Sequence, residues 1–266
     1  NGFADALGAT YLAAQKDAPI ILVTDDTLDD AKAYIYENLK ANGTIFVLGG
    51  PTSVSEDFEA DIEGFEVNRM PGANRFDTNL MVIEAAGEEA SGDIIVARGD
   101  DFPDSLSAGS TGLPILLVYG SLYDNQKEYL ETVTGTIYIM GDVNAVSASL
   151  ENELAAYGDV ERIGGENRFE TSVMIADAFF TAPDAAVLVY SHAFADALVA
   201  APLAHALNAP LVLTLTYGEL IEKYAADYVQ GEGIERGYVV GSVDYINDAT
   251  VRYVFGLTED TEITLR

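Results

Sequence analysis

The chain of 266 residues has no cysteine, no tryptophan and two histidines, and its 13 Lys and Arg face 44 Asp and Glu. Each shortage removes a class of chemistry. Without cysteine there is no disulfide, no thiol nucleophile and no thiolate metal site. His192 and His205 are the sole imidazoles, and no G-x-S-x-G turn exists to pair one with a serine nucleophile. The formal net charge of −31, spread along the chain, repels nucleic acid and anionic lipid. No apolar run approaches the roughly 20 residues of a membrane span. Gly231-Glu-Gly-Ile-Glu-Arg-Gly237 misses dinucleotide spacing by one residue and precedes a strand pattern instead of following one.

What the chain has is repetition. Arg69-Met-Pro-Gly-Ala-Asn-Arg-Phe-Asp-Thr78 returns 93 residues later as Arg162-Ile-Gly-Gly-Glu-Asn-Arg-Phe-Glu-Thr171, so Gly72/Gly165, Arg75/Arg168, Phe76/Phe169 and Thr78/Thr171 are equivalent. A second phrase occurs three times, centred on Phe3, Phe102 and Phe194, with Asp5, Asp104 and Asp196 two residues on. Three proline-opened apolar runs follow, containing Ile20-Ile21-Leu22, Ile115-Leu116-Leu117 and Leu211-Val212-Leu213. A fourth phrase ends in Gly49, Gly141 or Gly241, where a tight turn asks for positive φ. The units run 1–67, 68–160 and 161–256, with a tail at 257–266. Unit one lacks the opening phrase and reads as a truncated copy. The chain thus opens inside a repeat, where the absence of a leader peptide carries no information.

Within unit two, Ile94–Ala97, Ile115–Tyr119 and Ile137–Met140 are short, β-branched and bounded by Gly, Pro or Asp, as buried strands are. Helical periods lie between them, including one from Leu106 onward. Alternating apolar strands and helices call for an α/β fold with mostly parallel sheets covered on both faces. Ser53-x-x-Glu56 and Thr27-x-x-Asp30 fit capping patterns, and Thr78 and Thr171 are expected to cap the helices they begin.

Candidate chemistry is sparse. Asp25-Asp26 with Asp29-Asp30, and Asp100-Asp101 with Asp104, offer oxygen ligands to a hard cation without the spacing of a calcium loop. Solvated acids and helix caps account for them as well. The tripeptide Arg98-Gly99-Asp100 has no supporting context. More telling, four of the eight arginines fall in one recurring phrase. Arg75 and Arg168 are expected either to pair with Asp104 and Asp196, tying loops together, or to hold an anionic group of a polymer.

The order R-x-x-G-x-N-R-F-x-T, F-x-D-[AS]-L, P-[IL]-[ILV]-L and G-x-[VI]-x-[VLM]-G, leading to a Val-Ser helix start, resembles the cell-wall-binding repeat 2 family over nearly the whole chain. The resemblance implies three Toprim-like or flavodoxin-like modules packed with pseudo-threefold symmetry. It further implies a secreted surface protein, or part of a surface layer, held non-covalently to an anionic wall polymer without catalysis, with no cofactor beyond bridging Ca²⁺ or Mg²⁺. The family's Ile-Leu-Leu anchoring segments map onto the three apolar runs, although burial in a strand is their first role. Two other readings remain: a phosphoester-processing enzyme using a metal at Asp100, Asp101 and Asp104, and a self-associating adhesive module with surface-layer neighbours.

Overall fold

A computed structural model describes residues 4–87, 92–100, 106–216, 218 and 223–263, with side chains from residue 7 onward. Asp101 and Asp104 therefore lie outside the described residues, and of Asp5 only its place on a helix is given. Unit one comprises α1 (Ala4–Lys16), α2 (Leu28–Asn38), β1 (Thr44–Leu48), α3 (Glu56–Ala60) and β2 (Glu66–Met70). Unit two runs through α4 (Arg75–Ala85), β3 (Ile94–Arg98), a 3₁₀ turn at Ser107–Thr111, β4 (Ile115–Val118), α5 (Asp124–Leu130), β5 (Ile137–Met140), α6 (Ala148–Leu154) and β6 (Val160–Ile163). Unit three continues with α7 (Arg168–Phe179), β7 (Ala185–Tyr190), α8 (Phe194–Ala206), β8 (Leu211–Thr214), α9 (Lys223–Gly231), β9 (Arg236–Val240) and α10 (Asp248–Phe255).

The strands form three parallel sheets in the orders β1-β2, β4-β3-β5-β6 and β8-β7-β9. Numbered within unit two, the order is 2-1-3-4, that of a flavodoxin-like sheet, and unit three repeats its first three strands. The apolar composition of β3, β4 and β8 follows from burial on both faces: every one of their residues but Arg98 is buried. β2 and β6 escaped the sequence reading because they are outer strands in which polar or charged residues, Glu66, Asn68 and Arg69 or Glu161 and Arg162, interrupt the apolar run. β2 spans residues 67 and 68 and pairs with β1, so strand pairing runs past the boundary read from the repeat.

Outer strand β4 is sealed by side chains instead of another strand. Buried Asn79, on α4, donates from Nδ2 to the Ile115 carbonyl at 2.8 Å and accepts from the Leu117 amide at 2.8 Å. Buried Gln126 donates to the Leu117 carbonyl at 2.7 Å. In unit three the Leu213 amide donates to Ser172 Oγ at 3.2 Å, and Leu211 reaches across to Ser110 Oγ in unit two at 3.3 Å.

The segments following the Phe-x-Asp phrase, α1, the 3₁₀ turn and α8, touch one another pairwise and join the three units. Equivalent residues meet there: a Cβ on Gly109 would lie 2.9 Å from both Thr10 Cγ2 and Ala201 Cβ. In unit two the described residues from Leu106 onward form a 3₁₀ turn in place of the expected helix, because Gly109 is a poor helix former and Gly112, at φ +72°, ends it.

Unit one departs from the reading of its apolar run. Residues 19–24 form no strand, and Ile21 is exposed, with Ile20 and Leu22 half-buried. Among the described residues, no strand stands beside it to pair with. A cavity of about 840 Å³ separates this run from β1, where β3 and β7 stand in the other units. A sheet of two strands with one edge on a cavity is weakly held. The amides of Thr44–Leu48 are therefore expected to exchange with deuterium far faster than those of Ile94–Ala97, and equal protection would contradict this account.

Candidate functional site

In a doubly wound parallel sheet, ligands sit beyond the carboxyl ends of the strands where the order reverses. In unit two that point lies between β3 and β5, and in unit three between β7 and β9. Both are approached by the arginine at the start of the following-phrase helix. Asn74 and Asn167 are the N-caps of α4 and α7, each accepting two amides from the first turn. This corrects the expectation for Thr78 and Thr171, which lie one turn into their helices and are buried. Thr171 Oγ1 instead accepts from the Gly165 amide at 3.1 Å, and a Cβ on Gly72 would run into Thr78. Asparagine, as strong a cap as threonine, stood at the correct offset. The cap of α3 is likewise Ser55 and not Ser53, with Ser147 in the same role on α6.

The caps fix where the arginines point. Arg75 donates to the Gly99 carbonyl at 2.8 Å, and Arg168 to the equivalent Ser191 carbonyl at 3.4 Å. Arg168 thus binds the strand-end backbone and not Asp196, whose carboxylate instead lies against Gly241. The other pair is structural. Arg69 ties the Gly49 and Ser55 carbonyls to Glu59; Arg162 ties the Gly141, Asp142 and Val146 carbonyls to Glu151. Their target glycines have φ of +94° and +90°, as a turn demanding glycine should. Phe76 and Phe169 are buried.

The two reversal points differ chemically. In unit two, Arg98 forms a fork on Asp100, Nε to Oδ1 at 2.5 Å and Nη2 to Oδ2 at 2.9 Å. Its Nη1 reaches the Asn144 carbonyl at 3.3 Å, and its guanidinium lies 6.0 Å from the Tyr119 ring centroid. The hydrogen bond from Arg98 holds the Asp100 carboxyl below the usual carboxylate range. That fork occupies the oxygens a cation would need, and no group of three acidic or histidine side chains among the described residues is placed to hold a metal. In unit three the same positions carry Tyr190 and His192, with Tyr245 across from them; the two tyrosine rings stack at 4.7 Å and 13°.

The segments Ile115-Leu116-Leu117 and Leu211-Val212-Leu213 are buried in β4 and β8 and present no side-chain surface. Of the three runs, only Ile20-Ile21-Leu22 faces open space, on the cavity beside β1. No described helix is long and apolar enough to cross a membrane.

A sequence model for Cell wall binding domain 2 (CWB2) matches residues 1–59, 69–151 and 162–251, one match per unit. The chain belongs to this family. Its CWB2 modules are 30% identical over 219 residues to the amidase enhancer of Bacillus subtilis (strain 168), covering 79% of the chain and 29% of that protein. They are 24% identical over 257 residues to the N-acetylmuramoyl-L-alanine amidase LytC of the same organism, covering 93% and 50%. Cwp8 from Clostridium difficile superposes with a TM-score of 0.85 at 26% identity, over 97% of this chain and 46% of that one. Cwp6 from the same organism shares the fold at a TM-score of 0.77 and 24% identity, over 91% and 40%. The CWB2 region thus spans half or less of each of these proteins, and its family places it at the cell wall or surface.

Proposed function

We propose that the three modules anchor a secreted surface protein to a wall glycopolymer, non-covalently and without catalysis. The observation that supports this best is the CWB2 match repeated in every module, since three linked copies multiply weak contacts to a repeating polymer. An amidase and an amidase enhancer share this region, which fits a common wall-directed part carried beside other segments. The polymer runs across the modules past their reversal points, where Arg75 and Arg168 hold its anionic groups with guanidinium donors left over from the strand-end carbonyls. The buried Ile-Leu-Leu equivalents in β4 and β8 serve the fold.

A net charge of −31 opposes an anionic ligand, so binding depends on screening salt or on Ca²⁺ or Mg²⁺ bridging the two. Co-sedimentation with purified cell envelopes tests the proposal. Retention is expected to rise with calcium, and Arg168→Gln to weaken it about tenfold, the scale of one lost charged hydrogen bond, with the melting temperature little changed. Protein left in the supernatant at every salt and calcium concentration would remove the proposal.

A further inference from the structure

We propose that the reversal point of module three is a sugar-stacking site, in which the Tyr190–Tyr245 pair, flanked by His192, receives the apolar face of a pyranose ring. This rests on the reading that the ligand is a wall glycan, and it names the contact that reading leaves open. Tyr190 ends β7 and Tyr245 stands on the loop after β9, so the pair bridges the crevice where an α/β sheet presents its ligand site. Their rings lie 4.7 Å apart at 13°, the His192 ring is 5.4 Å from Tyr190, and Tyr245 is 48% exposed.

The platform is fixed in advance. Thr216 Oγ1 donates to the Tyr245 carbonyl at 2.8 Å, and the Tyr245 amide donates to the Ser242 carbonyl at 3.0 Å. Ser191 Oγ and His192 Nδ1 lie 3.1 Å apart, and Arg168 holds the Ser191 carbonyl beneath them. The backbone beneath the rings is held before a ligand arrives, and the stacking of the two rings limits the side-chain freedom lost on binding.

The ligand class follows from the chemistry of the two faces. One side of a pyranose presents C–H groups, which an aromatic face attracts through its negative quadrupole. Such a contact is uncharged, so the −31 field that opposes an anionic group leaves it untouched. Module two differs: its equivalent positions are Arg98, Asp100 and Ala145, where an ion pair fills the crevice.

The test is NMR titration of the whole chain with a neutral β-linked N-acetylglucosamine tetramer, alongside envelope retention. Saturable shifts of the Tyr190 and Tyr245 ring resonances are expected. Tyr245→Ala is expected to lower affinity about tenfold, the scale of one lost stacking contact, while Tyr245→Phe keeps the ring and stays within about twofold. Unmoved ring resonances, or Tyr245→Ala binding the tetramer as tightly as the unaltered chain, would overturn the site. Envelope retention without a ring response removes the platform and leaves the anchoring proposal standing. A ring response without retention upholds the platform and removes anchoring.

Discussion

Replacing Gly109 with valine is expected to lower the melting temperature by roughly 6–12 °C, the equivalent of about 3 kcal/mol in a chain of this length. The position has no room: even a bare Cβ would stand 2.9 Å from Ala201 Cβ and Thr10 Cγ2, on segments belonging to the other two modules. A branched side chain therefore pushes three units apart at once, and the 3₁₀ turn carrying it is held by α8, α7 and β8 of unit three and by α1 of unit one. Gly109→Ala should cost less, and Ala201→Gly in the same chain should recover part of that loss, because the two methyls compete for one space. Thermal unfolding followed by circular dichroism measures both. An unchanged melting temperature for Gly109→Val would mean that the modules do not meet tightly at this point.

Asn79→Leu has a comparable effect by a different route. The carboxamide of Asn79 satisfies one carbonyl and one amide of β4 in a fully buried place, with α1 lying directly over it at Gly8. Leucine fills a similar volume but pairs with neither group, and each buried polar group left alone costs about 1–3 kcal/mol, for a total near ~4. The unit-three equivalent, Ser172, accepts a single amide of β8, so Ser172→Ala should cost about 1–2 kcal/mol. Denaturant unfolding gives the ranking directly. Equal losses at the two positions would show that side-chain sealing of the outer strands is not what distinguishes them.

The strands that the sequence disclosed are those buried on both faces, such as Ile94–Ala97 and Ile115–Val118, where nothing but apolar residues is tolerated. The strands it hid, β2 and β6, are outer strands that carry Arg69 and Arg162 beside other polar or charged residues, so their composition resembles a loop. Pro19–Thr24 misled in the opposite sense. Its composition is that of a strand, but a strand also needs a partner, and composition carries no information about what stands alongside. The arginine phrase suggested an acidic partner, Asp196, for Arg168, and the structure gives it a carbonyl instead. Arg75 and Arg168 bind carbonyls of Gly99 and Ser191, groups that every residue possesses and that no sequence pattern marks. Tyr190 and Tyr245 come together only because β7 and β9 are neighbours, 55 residues apart along the chain.

The central claim is that these modules hold a wall glycan and leave it intact. Soluble polymer released from envelopes and passed, with calcium, over the immobilised protein examines both halves of that claim. The account predicts saturable retention, followed by recovery of polymer with unchanged chain length when calcium is removed. Polymer that runs straight through, or emerges shortened, would contradict it.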